Sequence, residues 1–534
     1  MTRRAFLASV TATAAQSRKP NLLLILADDL GYSDLGCFGG EIKTSHLDAL
    51  AGAGVRLTQF YNYTRCCPSR AALMTGLYPH RVGVGAMIGG PNAPARPEAG
   101  YQPRMAADCL TLPQTLKRAG YKTLMCGKWH LGANLTPIDR GFDEFYGMIH
   151  GFDSFWNEQV YTRLPKDRPV RASQNFYATD AITDHALDFI ANARGEAKPW
   201  FLYLAYNAPH FPLHAPKEII DAYAPLYEKG WDAIRAERLR RLREMKLIDA
   251  RWEETPRSSI PANRFNGETG WAGKDNPAWN SLTEDRRKDL ARRMATFAAM
   301  VERMDTNIGQ IVGDLKQRGE LENTLIVFLS DNGACAEWDP FGFDGSSGPN
   351  NKLHKGAELN QIGQPGTYHS YGSGWANASN TPWRLYKHYG HEGGITTPFI
   401  AHWPARLNRL ISHRPAHIID LMPTLAAIAG AAPVSSDGVD ILPVLQGKPV
   451  KRGPLYWEHE GNRAMRDGRW KLVALGPAGV WELYDLEKDR TEMHNLAAKH
   501  PEIVARMARQ WEEWARKTNV LPWIWTPQYA TSSG

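Results

Sequence analysis

Short uninterrupted apolar runs alternate along the chain with longer stretches whose apolar positions recur at helical spacing. The strand-like runs are Asn21–Ala27 (NLLLILA), Val55–Tyr61, 121–126, 199–206 (PWFLYLAY), Thr324–Ser330 (TLIVFLS) and 399–402. A half-buried strand alternates polar and apolar residues, so the continuous runs read as strands buried on both faces. Helical spacing marks 46–53, 69–77, 112–119, 179–193, 286–318 (with one candidate break), 418–429 and Pro501–Lys517. The stretch 211–285 is charged, contains prolines and is weakly periodic, and reads as an insertion; 333–382, rich in Gly, Ser and Asn, reads as loop. Past Val450 the texture changes to short strands at 469–474 and 480–486 before the terminal helix. Strands alternating with helices predict an α/β fold. The expectation is a large mixed, mostly parallel sheet flanked by helices over 20–450, with a smaller C-terminal α+β subdomain over 451–534.

The polar residues fall at the ends of these strands. Asp28-Asp29 follows the first run, Lys128 and His130 follow 121–126, His210 follows 199–206, and Asp331-Asn332 follows Thr324–Ser330. Ligands of open α/β sheets collect beyond the carboxyl ends of the strands, so this regularity marks an active site. Either acidic pair alone would serve as a helix cap or turn. Two pairs in matching positions favour a hard cation, calcium or magnesium, because crowded carboxylates repel unless neutralised and no imidazole or thiolate stands within the pairs. Lys128 and His130, two apart, share a face of an extended segment. Lys387 lies five residues before Glu392-Gly393-Gly394. Such lysines clamp tetrahedral anions and such histidines move protons near neutral pH, although singly most are structural or solvated. Cys66 precedes the helix at 69–77, where it is either a thiolate nucleophile of lowered pKa or a buried structural residue.

Composition narrows the class. With 43% hydrophobic and 22% charged residues, the 534-residue chain is neither disordered, collagen-like nor a membrane protein. A net charge of +7 without a long Lys or Arg run gives nucleic-acid binding little support. The six cysteines, Cys37, Cys66, Cys67, Cys109, Cys126 and Cys335, are not needed as a disulfide framework in a chain of this size. Thr2-Arg3-Arg4-Ala5-Phe6-Leu7, an apolar stretch through Val10 and Ala12-Thr13-Ala14 form a twin-arginine-type signal over 1–16. The expected location is therefore periplasmic or secreted. That segment is too short to span a bilayer, and no other reaches about 18 apolar residues, so stable membrane insertion is not expected.

Cys66-x-Pro68-x-Arg70, continued by Ala71-Ala72-Leu73-Met74-Thr75-Gly76, resembles the first signature of the formylglycine-dependent sulfatases. Gly127-Lys128-Trp129-His130-Leu131-Gly132 resembles the second. Asp28-Asp29-Leu30-Gly31, Asp331-Asn332-Gly333 and Lys387 with Glu392-Gly393-Gly394 also match. The likeness runs from Asn21 to Glu482-Leu483-Tyr484-Asp485-Leu486 and is strongest to the bacterial arylsulfatase type, where Asn380-Thr381-Pro382 precedes the lysine segment. Ser45-His46 departs from a more usual Pro-Asn pair, away from the chemistry.

The resemblance implies an alkaline phosphatase-like fold and hydrolysis of sulfate esters to an alcohol or phenol plus inorganic sulfate. It implies that a formylglycine-generating maturation enzyme oxidises Cys66 to Cα-formylglycine, whose hydrate attacks sulfur. Twin-arginine export of a folded chain would let that happen in the cytosol first. Asp28, Asp29, Asp331, Asn332 and the modified Cys66 would hold one Ca2+, with Mg2+ as the other candidate. Arg70 would hold the modified residue, Lys128 and Lys387 the sulfate oxygens; His210 would protonate the leaving alkoxide and His130 deprotonate the hydrate. The substrate would be a sulfated small molecule or sulfated glycan. Two rival readings are a phosphonate or phosphate diester hydrolase of the same superfamily, and a non-catalytic sulfated-glycan-binding protein that keeps Cys66 as a thiol. Trp156, Trp271, Trp279, Trp375 and Trp383, in loop regions, are candidate platforms for a sugar or aryl group, although most of the 18 tryptophans are more simply buried surface or loop anchors; His459, Glu460, Asn462 and Arg463 are candidate pocket-lining residues.

Overall fold

The ends of two neighbouring strands set the geometry of the whole molecule, which is described by a computed structural model over residues 19–88, 98–132, 134–168, 170, 175–258 and 260–523. The twin-arginine segment lies outside the described residues. Ten strands form one sheet: β1 (Asn21–Ala27), β2 (Val55–Tyr61), β3 (Lys122–Lys128), β4 (Glu144–Met148), β5 (Thr162–Leu164), β6 (Trp200–Ala205), β7 (Thr324–Ser330), β8 (Thr396–His402), β9 (Leu410–Ser412) and β10 (Ala416–His417). Their order is β10-β2-β8-β7-β1-β6-β3-β4-β5, with β9 beside β2. The five strands β7-β1-β6-β3-β4 run parallel, whereas β8 is antiparallel to both its neighbours and β5 to β4. The sheet is mixed and mostly parallel, as the alternation of runs and helices predicts.

The apolar run of β1 is continuous because each face of the sheet has its own core. Leu23, Ile25 and Ala27 face one core, built with the helices Ala178–Gly195 and Glu284–Gln317. Leu22, Leu24 and Leu26 face the other, built with Cys66–Thr75, Leu112–Arg118 and Leu421–Ile428. Alternate side chains of a strand point to opposite faces, so burial on both leaves no position for a polar residue until the strand ends. Each such leucine removed from water contributes roughly 1.5–3 kcal/mol.

Three expectations change. The stretch 333–382, expected as loop, contains the buried helix Gly372–Ser379. The pattern at 286–318 is one unbroken helix, Glu284–Gln317, whose start is capped by Thr283 accepting from the Arg286 N–H. The weakly periodic stretch 211–285 contains the helices Lys217–Tyr227 and Gly230–Glu244, whose Ile220, Tyr223, Tyr227, Trp231, Ile234, Leu239 and Leu242 join the first core. Its periodicity is weak because a charge occupies the inward face: Arg238 is fully buried, 2.7 Å from Asp34 and 2.8 Å from Glu41.

The C-terminal region is an antiparallel sheet of β11 (Leu455–His459), β12 (Asn462–Asp467), β13 (Trp470–Ala474) and β14 (Glu482–Asp485), covered by the helix Pro501–Lys517. It shares the second core through Leu455, Trp457, Met465 and Leu472. Glu392 joins the two sheets: it lies 2.9 Å from Lys471 and 2.8 Å from Arg490, which outweigh burial and hold its carboxyl below the usual range. Among the described residues, no helix is long and apolar enough to cross a membrane.

Candidate active site

In the register of β1 and β7, Ala27 stands opposite Ser330. The next residues, Asp28 and Asp331, therefore leave the sheet side by side, followed by Asp29 and Asn332. Asp29 turns through a left-handed conformation (φ 66°), its N–H donating to Asp331 Oδ1 at 3.2 Å, while Asn332 Nδ2 donates to Asp29 Oδ1 at 2.6 Å. Asp28, Asp29, Asp331 and Asn332 are all buried.

Three cations surround these carboxylates. Arg70 comes from the helix Cys66–Thr75, which begins at Cys66 rather than after it. Its guanidinium donates to Asp331 Oδ2 at 3.1 and 2.9 Å and to the Lys128 carbonyl at 2.8 Å. Lys128, the last residue of β3, places Nζ 2.5 Å from Asp28 Oδ2. Lys387 places Nζ 2.8 Å from Asp29 Oδ2 and 3.5 Å from His210 Nε2. His210 has Nδ1 2.5 Å from the Phe211 carbonyl, so the proton sits on Nδ1 and Nε2 faces the site, 3.4 Å from Asp29 Oδ2. Asp28, Asp29, Cys66 and His210 each present a ligand atom within 4.8 Å of the others.

Charge crowding shows in the titration of the groups. Burial drives the Asp331 carboxyl well above its ordinary range, reinforced by the negative charge of Asp28 and only partly opposed by Arg70. Burial also opposes ionisation of Asp28, but Lys128, His210 and Arg70 outweigh it and hold that carboxyl low. Burial pushes the Cys66 thiol up, yet Lys128 and Lys387 pull it down further, to about 7. The adjacent Cys67 faces the second core and is pushed up to about 12. All six cysteines are described, none in a disulfide, and Cys66 alone is shifted downward.

His130 reaches the cluster by another route than predicted. β3 stops at Lys128, and His130 adopts a left-handed backbone (φ 58°), so the two side chains are not related by strand alternation. Burial, followed by the charges of Lys128 and Arg70, holds its imidazole well below the ordinary pKa and therefore neutral. The ring packs on Gly151, where a Cβ would sit 2.6 Å from His130 Cε1.

Three of the five candidate aromatic platforms are corrected. Trp279, Trp375 and Trp383 are buried, and Trp231, Trp279 and Trp375 form an edge-to-face group with ring separations of 4.8 to 5.8 Å. Trp156 packs on Tyr177 and donates to the Gly363 carbonyl, and Trp271 packs edge-on against Phe341. These rings anchor the fold. The aromatic residue beside the site is Phe152, an exposed side chain stacked on His210 (5.6 Å, 17°) and packed against Phe211. Nothing in its short surrounding pattern, His150-Gly151-Phe152-Asp153, distinguishes it in the sequence. Of the C-terminal candidates, His459 packs near His388 and Asn462 donates to the His388 carbonyl, next to Lys387. Glu460 clusters with both histidines. Arg463 lies elsewhere, its guanidinium over Trp481.

Two buried oxygens, Asp28 Oδ1 and Asn332 Oδ1, have no hydrogen-bond partner among the described residues. Buried polar atoms are normally satisfied, and an all-oxygen set beside a destabilised third carboxylate fits a hard dication.

Residues 20–431 match the sulfatase family, and 383–517 match the C-terminal region of N-sulphoglucosamine sulphohydrolase. An uncharacterised sulfatase of Schizosaccharomyces pombe is 34% identical over 553 residues, 95% of either chain. An arylsulfatase of Klebsiella aerogenes is 35% identical over 439 residues, 80% of this chain and 90% of that one. The solved structure of Ps i-CgsB in complex with k-i-k-neocarrahexaose matches with a TM-score of 0.66 at 28% identity over 93% of each chain. A mixed α/β sheet ending in this cluster, with these likenesses, defines a sulfuric ester hydrolase. The chain belongs to the sulfatase family.

Replacing Gly151 by alanine forces the His130 ring aside. Gly151→Ala is expected to lower sulfate-ester turnover by about tenfold or more with unchanged far-UV circular dichroism, measured by steady-state kinetics on an aryl sulfate.

Proposed function

We propose that Cys66, oxidised to Cα-formylglycine by a maturation enzyme, carries the nucleophile of sulfate-ester hydrolysis. The observation that carries this reading is the convergence of Cys66, Asp28, Asp29 and His210 within 4.8 Å, at the start of a helix whose Arg70 is tied to Asp331. Pro68 and Arg70 belong to the motif that the maturation enzyme reads. Asp28, Asp29, Asp331 and Asn332, with the modified Cys66, would hold the dication, calcium first and magnesium second. When bound, the dication supplies positive charge that acidifies the nucleophile and offsets the charge of the sulfate.

The hydrated side chain of residue 66 has two hydroxyls on one carbon. One, ionised by loss of its proton to solvent, attacks sulfur as the alkoxide; the bond from sulfur to the leaving oxygen breaks, and His210, carrying a proton on both ring nitrogens in this step, delivers the one on Nε2 to that oxygen. Lys128 and Lys387 hold the sulfate oxygens, their charges fixed in place by Asp28 and Asp29 before substrate arrives. His130, neutral in this environment, accepts the proton of the second hydroxyl. The aldehyde re-forms as the carbon–oxygen bond to sulfate breaks, and water restores the hydrate. No water needs to attack the hindered sulfur.

The substrate is a sulfated small molecule or sulfated glycan, and Phe152 walls the leaving-group side beside His210. An exposed ring there suits a leaving group with a flat face. Phe152→Ala is expected to raise KM for an aryl sulfate by roughly three- to tenfold, as loss of one aromatic contact does. Its effect on kcat should be smaller, and KM for a short alkyl sulfate should change little.

Mass spectrometry of the Cys66 peptide, with and without a co-expressed maturation enzyme, tests the nucleophile. The aldehyde fraction is expected to rise in proportion to activity. A thiol-only peptide in a fully active preparation overturns the reading, and faster turnover of phosphonate or phosphate diesters than of aryl sulfate would transfer the same machinery to phosphorus esters.

A further inference from the structure

A second group of ligating side chains lies in the loop after the catalytic Asp331-Asn332 turn and shares no residue with the catalytic cluster. Asp344, His354 and His369 each present one atom within 4.8 Å of the others. Asp344 Oδ1 is 3.0 Å from His369 Nε2 and 3.5 Å from His354 Nε2, and the two rings meet edge to face at 5.0 Å. Both histidines are buried.

The surrounding hydrogen bonds fix which atoms are free. His354 Nδ1 lies 3.0 Å from Asp289 Oδ1, which also receives the His354 backbone N–H at 3.4 Å. Asp289 is an acceptor through both oxygens: Oδ1 takes that backbone N–H, and Oδ2 takes the guanidinium groups of Arg286 and Arg293 at 3.2 and 3.3 Å. The proton of a neutral His354 therefore sits on Nδ1, which leaves the Nε2 lone pair aimed at the Asp344 carboxylate. Two lone pairs facing each other at 3.5 Å repel unless a cation stands between them. His369 Nδ1 has no partner among the described residues, so the ring makes its polar contact through Nε2, on the same oxygen.

The frame around the three ligands is already rigid. Arg293 binds both Asp344 oxygens at 3.1 and 2.9 Å, and the Lys352 N–H donates to Oδ2 at 2.7 Å. Asp344 and His369 are bridged through their backbones. Arg286 and Arg293 carry two positive charges, balanced by Asp289 and Asp344, so a dication would enter a locally neutral frame. Four-coordinate zinc, with bonds of about 2.0–2.2 Å, separates its ligand atoms by about 3.3–3.6 Å. The 3.5 Å separation falls in that range, and the 3.0 Å one is about 0.3 Å shorter. Two imidazoles and one carboxylate select a borderline metal, whereas the all-oxygen cluster at Asp28 selects a hard one. A histidine whose other nitrogen donates to a carboxylate is the usual outer-shell arrangement of such sites.

We propose that Asp344, His354 and His369 bind a zinc-type dication, with Asp289 and Arg293 as its outer shell and water in the fourth position. The ion fastens the loop 333–371 to the long helix Glu284–Gln317. What it steadies is the wall of the active site: the Phe343 N–H donates to the Ser370 hydroxyl oxygen, the Phe343 ring packs on Phe211 at 4.9 Å, and Phe211 packs on His210 at 4.1 Å.

The test uses the full chain, stripped with chelator and supplied with saturating calcium. Cobalt(II) serves as the spectroscopic probe and zinc as the stabilising ion. The expected result is one further equivalent of cobalt with visible absorption of a four-coordinate site, and a zinc-dependent rise in Tm. Both should be lost in His354→Gln and in His369→Gln and kept in Cys66→Ser. Absence of the band and of the zinc response in the unsubstituted chain overturns the proposal, a result that needs no variant to fold. It would leave a protonated His354 bridging Asp289 and Asp344. A band that survives either histidine substitution, or disappears in Cys66→Ser, also overturns it.

Discussion

Three buried carboxylates beside three buried cations are the constraint on which this molecule depends. Asp28, Asp29 and Asp331 stand together because β1 and β7 end in register, and none can reach water. Removing one partner of a buried ion pair typically costs about 3–5 kcal/mol, because the remaining charge is left uncompensated. Arg70, Lys128 and Lys387 are therefore held as firmly as the acids they face. Each arrives from a different element, so the cluster ties the helix Cys66–Thr75, β3 and the segment before Glu392 to the centre of the sheet.

The same balance prepares the chemistry. Cations placed for Asp28 and Asp29 also face Cys66, which is why its thiol is lowered while that of Cys67, one residue on, is raised. Burial, joined by the charges of Lys128 and Arg70, keeps His130 neutral against the opposing charge of Asp28. Lys128 and Lys387 act on the position of Cys66, while Asp28 Oδ1 and Asn332 Oδ1 lack donors. A sulfate ester suits the first and a hard dication the second.

Much of this was legible in the chain because fully buried parallel strands write themselves as unbroken apolar runs, and the polar residues that interrupt them mark the sheet's carboxyl edge. That rule alone, without any family likeness, marks Asp28, Lys128, His210 and Asp331. What stayed hidden follows a physical pattern too. The strands β4, β5, β9 and β10 are short or peripheral, and β8 differs from its neighbours in direction, which local sequence does not encode. The helix Gly230–Glu244 concealed its inward face behind Arg238, an arginine neutralised only by residues some two hundred positions away. His130 depends on a backbone turn rather than on strand alternation. Phe152 is one ring in a loop, and only its stacking on His210 distinguishes it. Trp375 escapes the loop reading because the small residues of Gly372–Ser379 form a buried helix, and Trp279 opens a short 3-10 turn that packs against it.

Under the proposed function a dication completes the oxygen cluster at the sheet edge. Calorimetric calcium titration of chelator-treated, formylglycine-bearing protein, followed in parallel by aryl sulfatase activity, tests this most directly. One high-affinity equivalent that restores activity is expected, with loss of that binding in Asn332→Ala. Full activity in protein shown by elemental analysis to carry no divalent metal would contradict it.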